Sequence, residues 1–343
     1  MKYRQLPNTD LKVSVLSLGT ATFGGSYGFE GWGHVDVAEA TRMIDMALDA
    51  GINMFDTADV YSQGWSEQIL GQAIQGKRDR LLIASKGGFR MSDEPTDAGS
   101  SREHLIKACE DSLRRLNVDY LDLYYVHGFD NNVPTEETVR AMDELVQSGK
   151  VRYIACSNYS GWHVMKSLAI ADQEHLNRYV AHQVYYSLLN RDYEWELMPL
   201  AQDQQLGAII WSPLAAGRLA GRYRRGVPIP EDARVRHNGV PVRDNVVHYD
   251  VLYRIIDCLD SIAEETSHPV ADVALAWLLS RPTVTSLLLG ARKEQHLKEN
   301  LTAADLELTS EQIARLDEAS AQPKAYPYWH QNLKPEFKSQ IFY

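Results

Sequence analysis

Short apolar runs alternate with longer helical patterns eight times along the chain, and this alternation constrains the fold more than any other feature. Runs of strand length separated by segments with a 3.6-residue apolar period indicate parallel strands joined by helical crossovers. Eight such units close most naturally into a (β/α)8 barrel, which usually takes about 250 residues plus insertions. The chain has 343 residues. We therefore predict an α/β fold of the TIM-barrel type in a single domain, with an N-terminal β-hairpin and long rim loops.

The boundaries of the predicted elements follow from the same pattern. The hairpin turns at residues 7–10, and Asp36 is expected to cap the first helix, whose apolar face is Ala40, Met43, Ile44 and Ala47. The predicted strands are 13–18, 52–55, 81–85, 120–126, 151–156, 179–184, 208–211 and 285–289. The predicted helices are 36–50, 66–75, 101–116, 135–148, 161–174, 194–204, 251–266, 270–280 and 293–301.

One alternative to the barrel is a doubly wound open sheet with a glycine-rich dinucleotide fingerprint. The glycines that follow the first strand do not form that fingerprint, which counts against the open sheet. We assign residues 1–320 to the barrel. Residues 321–343 form an aromatic tail, which we expect to cover the barrel rim.

Charge and composition exclude several classes of protein. The formal net charge of −11 argues against binding to nucleic acid, which needs a basic face. The three scattered cysteines indicate buried thiols in a reducing compartment and no metal site. There is no secretory signal pattern and no apolar run of membrane-spanning length. We therefore expect a cytoplasmic protein without a membrane partner, and its oligomeric state stays open.

Polar side chains stand where the predicted strands end. In a barrel the carboxyl ends of all strands meet at one rim, so these residues should face one cavity. They are Asp56, with Tyr61 in the loop that follows, then Lys86, His127, Ser157, Asn158, Gln183, Trp211, Ser212, Gly290 and Arg292.

The segment GINMFDTADVY, the polar strand ends, WSPLAAG and GARKEQHLKEN together resemble the aldo-keto reductase family. The resemblance runs from about residue 3 to residue 316 in family order. Within the family the chain is similar to bacterial aryl-alcohol dehydrogenases and to potassium-channel β subunits. The resemblance implies an NAD(P)-dependent oxidoreductase with a catalytic tetrad of Asp56, Tyr61, Lys86 and His127.

The chemistry of these four residue types suits carbonyl reduction. Hydride transfer to a carbonyl carbon requires a proton for the developing alkoxide, and a free tyrosine is a weak acid at neutral pH. A neighbouring lysine ammonium lowers the tyrosine pKa, and Asp56 would hold Lys86 in place. His127 can hydrogen-bond the substrate oxygen. We expect Tyr61 to be the general acid for reduction and the base for oxidation.

The resemblance also implies a nicotinamide cofactor bound along the rim. Ser157, Asn158 and Gln183 would hold the carboxamide, and Trp211 would stack on the nicotinamide ring, unless its indole is only part of the core. The remaining cofactor residues are expected along the pyrophosphate and around the adenosine: Thr20, Ser212, Pro213, Leu214, Gly217, Arg222, Gly290, Arg292, His296, Glu299 and Asn300.

The preferred cofactor is NADP(H), and NAD(H) stays an alternative. His296 stands where many family members carry arginine or glutamine, but Arg292 or the basic loop around Arg222 could meet a 2′-phosphate. The basic loop could equally be a solvated surface. The helix after the last strand is expected to begin at residues 290–292 and to offer free backbone N–H groups to an anion.

The substrate is less strongly encoded than the cofactor. An aromatic wall would favour an aryl, bulky or sugar carbonyl, although these rings could instead only pack the rim. Two other functions stay open: an NAD(P)-dependent sugar 1-dehydrogenase, and a cofactor-sensing regulatory subunit like the potassium-channel β subunits. The residues expected in the wall are Tyr27, Trp32, Phe89, Phe129 and Tyr159.

Overall fold

Eight parallel strands close into a barrel in the computed structural model, which describes residues 1–231, 233, 248–331 and 333. The strand order follows the chain, and the last strand pairs with the first barrel strand. The predicted (β/α)8 fold is therefore confirmed. The barrel strands are β3 (Leu16–Gly19), β4 (Met54–Asp56), β5 (Leu82–Gly87), β6 (Leu121–Val126), β7 (Val151–Ser157), β8 (Ala181–Tyr185), β9 (Gly207–Trp211) and β10 (Val284–Gly290).

Helices surround this barrel, and most of them connect one strand to the next. Two successive helices, Tyr249–Thr266 and Val270–Leu279, precede β10, as the sequence predicted. The helices are α1 (Val37–Asp49), α2 (Trp65–Ala73), α3 (Arg102–Leu116), α4 (Thr135–Gln147), α5 (Gly161–Glu174), α6 (Leu197–Gln204), α7 (Tyr249–Thr266), α8 (Val270–Leu279), α9 (Glu294–Asn300), α10 (Ser310–Ala319) and α11 (Tyr328–Gln331).

Helix α1 shows why these segments fold as the pattern predicts. Asp36 has extended backbone angles, and its carboxylate accepts a hydrogen bond from the N–H of Glu39. This bond satisfies a backbone donor that the first helical turn leaves without a partner. The predicted apolar face, Ala40 to Ala47, is buried against the barrel. Both the cap and the face are confirmed.

The hairpin of β1 (Tyr3–Gln5) and β2 (Lys12–Ser14) closes the amino-terminal end of the barrel. Leu6, Leu11 and Val13 are buried in one cluster with side chains from the barrel interior. Asp10 accepts hydrogen bonds from the Arg152 guanidinium and the Tyr153 hydroxyl at the start of β7. Packing therefore fills this end of the barrel, and the polar strand ends lie at the opposite rim.

The structure divides one predicted strand, moves the expected start of one helix and adds a helix that was not predicted. The run 13–18 is two strands, because the chain leaves the hairpin at Ser14 and enters the barrel at Leu16. The helix predicted over 293–301 matches α9 within one residue at each end, but the start at residues 290–292 that was expected for anion binding is wrong, because the helix begins at Glu294. Helix α10 was not predicted, although Thr309 and Gln312 form a capping box that signals its start.

The proposed cover of the rim by the aromatic tail stays a prediction. Within the part of the tail that the structure describes, Tyr326 and Trp329 are exposed, and neither lines the rim cavity. Residues 332 and 334–343 lie outside the described residues. Of the three cysteines, Cys109 and Cys156 are buried as predicted, and Cys258 is half-buried.

Candidate active site

The four residues of the predicted tetrad meet at the carboxyl ends of β4, β5 and β6. Asp56 ends β4, Lys86 lies one residue before the end of β5, and His127 directly follows β6. Tyr61 lies in a short 3₁₀ turn after β4. Because parallel neighbouring strands end at the same rim, residues far apart in the sequence are brought together here.

Lys86 connects the other members of this group. Its buried ammonium forms an ion pair with Oδ1 of Asp56 and donates to the carbonyl oxygen of Thr57 at 2.7 Å. It also lies 3.3 Å from the hydroxyl oxygen of Tyr61. Burial lowers the pKa of Lys86, but Asp56 and Tyr61 together raise it by more, so the net pKa lies above its usual value. Lys86 is therefore a fixed cation beside the phenol.

The ionisation of Tyr61 differs in part from the prediction. Lys86 lowers the pKa of Tyr61 as expected, yet burial raises it by more, and the net pKa lies above the usual value. Burial also raises the pKa of Asp56 against the attraction of Lys86. Tyr61 consequently keeps its proton at neutral pH, which is the state that a proton donor needs.

His127 is a neutral imidazole in this setting. Burial, and then the positive charge of Lys86, hold the pKa of His127 well below its usual range. Its ring lies edge-on to Tyr61, with centroids 5.9 Å apart, and stacks on Phe89 at 4.2 Å. A neutral imidazole carries one N–H and can donate it to an oxygen without adding a charge to the site.

Amide side chains stand beside the tetrad. The side-chain amide of Gln183 donates to Oδ2 of Asp56 at 2.8 Å. The Ser157 hydroxyl donates to the backbone carbonyl oxygen of Gln183 at 3.1 Å. The amide of Asn158 donates to the carbonyl oxygen of His127, and its oxygen accepts from the Trp211 indole N–H at 3.1 Å. The amide of Gln183 is thus held by Asp56, and the amide of Asn158 is held between the backbone of His127 and the indole of Trp211.

A cavity of about 1020 Å³ opens over these residues and extends towards α9. The predicted cofactor residues in its wall are Ser157, Asn158, Gln183, Trp211, Ser212, Pro213, Leu214, Gly217, Arg222, Gly290, Arg292, His296, Glu299 and Asn300. Thr20 is the exception, because it is buried against Ser66, with their hydroxyl oxygens 2.8 Å apart. The neighbours of Thr20, Gly19 and Ala21, line the cavity in its place.

The far end of the cavity carries both signs of charge. Arg222 and Arg292 line it together with Glu299 and Asn300. Burial and these arginines lower the pKa of His296, so the positive charge there comes from the arginines. Asp272, which sequence reasoning missed, also lines this end, and its Oδ1 has no hydrogen-bond partner within the described chain.

The aromatic residues expected in the substrate wall divide into two groups. Trp32 and Phe89 line the cavity, as does Phe29, which was not predicted. Tyr27 is 61% exposed and does not line the cavity. Phe129 stacks on His163 with a centroid separation of 3.4 Å and contacts Tyr159, so this pair packs outside the cavity. No sequence pattern could have predicted that Phe29 lines the cavity, because Phe29 lies in an irregular loop, where side chains follow no helix or strand period.

The residues present fit an extended dinucleotide. The cavity joins the amide groups beside the tetrad to two arginines at its other end. Gly217 has a φ of +88°, and no atom of the residues that the structure describes lies within 4 Å of the position that a Cβ would take there. A ligand can therefore approach this backbone closely.

The comparison with protein families agrees with this geometry. The model of the Aldo/keto reductase family matches residues 15–321. The chain belongs to this family, and the predicted class, an NAD(P)-dependent oxidoreductase, is confirmed.

Similar proteins in other organisms carry different names. A probable voltage-gated potassium channel subunit beta of Arabidopsis thaliana is 36% identical over 89% of this chain and 92% of its own length. The uncharacterized oxidoreductase YrpG of Bacillus subtilis is 34% identical over 96% of this chain and 100% of its own length. An L-glyceraldehyde 3-phosphate reductase of Escherichia coli K12 is 33% identical over 93% of this chain and 92% of its own length.

Among the described residues, no helix combines the length and the apolar character needed to cross a membrane.

Proposed function

We propose that the protein reduces aldehydes or ketones with NAD(P)H and can oxidise the matching alcohols, with Tyr61 as general acid and base. The observation that carries this proposal is the position of the Lys86 ammonium, which contacts both Asp56 and the Tyr61 hydroxyl at the base of the cavity. A buried cation beside a phenol stabilises the phenolate that forms when the proton leaves.

Each member of the tetrad has its own part in this chemistry. Tyr61 gives its proton to the carbonyl oxygen, and Lys86 stabilises the resulting phenolate. Asp56 keeps Lys86 charged and oriented, and Gln183 holds the second oxygen of Asp56. The neutral His127 donates a hydrogen bond to the substrate oxygen and thereby orients it. The nicotinamide group, when bound, supplies the hydride.

The cofactor preference that we propose is NADP(H). Arg222 and Arg292 both line the end of the cavity that is distant from Tyr61. A guanidinium there can form charge-assisted hydrogen bonds with a 2′-phosphate. Ser157, Asn158 and Gln183 would meet the carboxamide at the other end of the cofactor.

The proposed substrates are aryl or otherwise bulky carbonyl compounds. Phe29, Trp32 and Phe89 surround the mouth of the cavity beside Tyr61 and His127. Aromatic rings favour flat apolar groups by stacking and by burial of apolar surface. The named relatives add a small phosphorylated aldehyde to the candidates, since one of them is an L-glyceraldehyde 3-phosphate reductase.

The test is a titration of the purified protein with NADPH and NADH, followed through tryptophan fluorescence, and then a screen of aldehydes. We expect saturable quenching, tighter binding of NADPH than of NADH, and NADPH-dependent reduction of aryl aldehydes such as benzaldehyde. No binding of either cofactor would contradict the proposal. Tighter binding of NADH, with oxidation of sugars, would favour the sugar 1-dehydrogenase.

A second candidate is a cofactor-sensing regulatory subunit. It is favoured by the relatives that are named as probable potassium-channel β subunits. In that case the tetrad would serve to report the redox state of the bound cofactor. Saturable cofactor binding without turnover of any aldehyde, together with co-purification of a channel, would support this candidate over the enzyme.

A further inference from the structure

Ser62 directly follows the proposed general acid and is fully buried. Its backbone is left-handed, with φ 50° and ψ 36°, and the next residue, Gln63, has a φ of 50° as well. Residues other than glycine rarely adopt this conformation, and it persists only where surrounding contacts hold it. The turn after Tyr61 therefore needs a fixed attachment.

The hydroxyl of Ser62 supplies that attachment to the loop between β3 and α1. Its oxygen accepts hydrogen bonds from the N–H groups of Gly25 at 3.0 Å and Ser26 at 3.4 Å. It donates to the carbonyl oxygen of Phe23 at 3.2 Å. The approach is close, because a side chain at Gly24 would place its Cβ 3.1 Å from this oxygen. One hydroxyl thus holds three backbone groups of the loop, those of Phe23, Gly25 and Ser26.

The same loop supplies the aromatic wall of the cavity. The N–H of Phe29 donates to the carbonyl oxygen of Ser26 at 3.2 Å, and the N–H of Trp32 donates to that of Phe29 at 2.9 Å. The Phe29 ring returns to Tyr61, with centroids 5.5 Å apart. Tyr61 and Phe29 are therefore linked twice: through hydrogen bonds that run by way of Ser62 and Ser26, and through the contact between their rings.

We propose that Ser62 is a positioning residue that determines specificity for aryl carbonyl substrates. By fixing the loop it sets the distance between the Phe29 and Trp32 rings and the phenol of Tyr61. An aryl group bound in the mouth needs that distance, whereas a small aliphatic aldehyde does not. The Tyr61 hydroxyl is held by Lys86, so the chemical step does not depend on the Ser62 hydroxyl. The inference rests on the proposed carbonyl reduction.

The test compares Ser62→Ala with the wild-type protein, using benzaldehyde and propanal as substrates. The substitution removes all three hydrogen bonds of the hydroxyl and keeps the Cβ. We expect the KM for benzaldehyde to rise by about fivefold or more, which is the effect of losing about one net hydrogen bond. The kcat/KM for propanal should change by less than about twofold, and NADPH quenching should be unchanged.

Ser14→Ala is the matched control. Ser14 is an equally buried serine at the other end of the barrel, and its hydroxyl donates to Leu16 and accepts from the N–H of Asn53. We expect Ser14→Ala to lower the melting temperature without changing the ratio of the two KM values. A second variant, Phe29→Leu, should reproduce the selective rise in the KM for benzaldehyde.

Two results would overturn the role of Ser62: unchanged kinetics of Ser62→Ala, or an equal loss with both aldehydes. Both differ from a failure of the proposed function, in which the wild-type protein itself reduces neither aldehyde.

Discussion

The side-chain amide of Gln183 donates a hydrogen bond of 2.8 Å to Oδ2 of Asp56, while Oδ1 of the same carboxylate binds Lys86. Both oxygens of this buried acid are thus occupied, one by a cation and one by a neutral donor. A residue that was predicted for the cofactor carboxamide is therefore also part of the support of the tetrad. Gln183 thereby links the proposed cofactor site to the orientation of Lys86.

Gln183→Met tests this double role, because methionine keeps the length of the side chain and removes its donor and acceptor. Loss of the bond leaves a buried carboxylate oxygen without a partner, which costs about 1–3 kcal/mol. We expect kcat to fall by roughly tenfold, and the NADPH affinity to weaken as well. Stopped-flow measurement of the reduction and fluorescence titration separate the two effects. Gln204→Met, on the outer helix α6, should change neither.

Arg292→Ala tests the proposed preference for NADPH. Removal of a charge-assisted hydrogen bond to a phosphate costs about 1.5–3 kcal/mol, so NADPH affinity should fall by about 10-fold to 100-fold. NADH lacks the 2′-phosphate, and its affinity should change by less than about threefold. Lys298→Ala, on the same helix, is the control, because Lys298 does not line the cavity. An equal loss for both cofactors would assign Arg292 to the shared part of the dinucleotide.

The dependence of the rate on pH tests the ionisation of Tyr61. Burial raises the pKa of Tyr61, so the phenol carries its proton across the neutral range. We expect kcat/KM for reduction to stay level from about pH 6 to 9 and to fall above about pH 10. Oxidation of the alcohol needs the phenolate, so the rate of oxidation should rise above about pH 10, where the rate of reduction falls. A fall in reduction centred near pH 7 would show that Lys86 outweighs burial.

His182 offers a test of stability that is independent of the active site. It is fully buried, with Nε2 3.2 Å from the Tyr193 hydroxyl, and burial lowers its pKa to about 3. Between that value and the unfolded pKa of about 6.5, only the unfolded chain binds the proton at this site. The contribution of the neutral His182 to the free energy of unfolding is therefore fully present above about pH 6.5 and is lost as the pH falls.

The corresponding experiment is urea unfolding of the wild-type protein and His182→Leu at pH 7.5 and pH 5. Over the interval from about pH 6.5 to 5, the wild-type protein should lose about 2 kcal/mol more than the variant. The carboxylates titrate in both proteins, so the difference isolates His182. Equal losses would mean that His182 is protonated in the folded state as well.

The barrel and the group of tetrad residues could be predicted because both follow from local rules. Apolar runs fixed the strands, and the rule that strand ends share a rim brought Asp56, Lys86 and His127 together. Helix α10 could also have been found, since its capping box is visible at Thr309 and Gln312. The division of residues 13–18 could not, because four of these six residues are apolar and no turn signal marks the passage from one sheet to the other.

The orientation of loop side chains lay beyond sequence reasoning. Tyr27, Phe29 and Phe129 are all aromatic residues in rim loops, but only Phe29 faces the cavity. Loop rings follow no fixed period, so their direction depends on tertiary contacts such as the stacking of Phe129 on His163. The net pKa of Tyr61 could not be predicted from the sequence for a related reason. Burial raises this pKa by more than Lys86 lowers it, and the extent of burial depends on the whole fold.

Turnover of Tyr61→Phe tests the central claim most directly, because the substitution removes only the hydroxyl beside Lys86. We expect NADPH-dependent reduction of benzaldehyde to fall by about 10²-fold to 10⁴-fold, the usual contribution of a positioned proton donor. Quenching of tryptophan fluorescence by NADPH should stay within about twofold of the wild-type affinity. Full turnover by Tyr61→Phe with the cofactor bound would contradict the assignment of Tyr61 as the general acid.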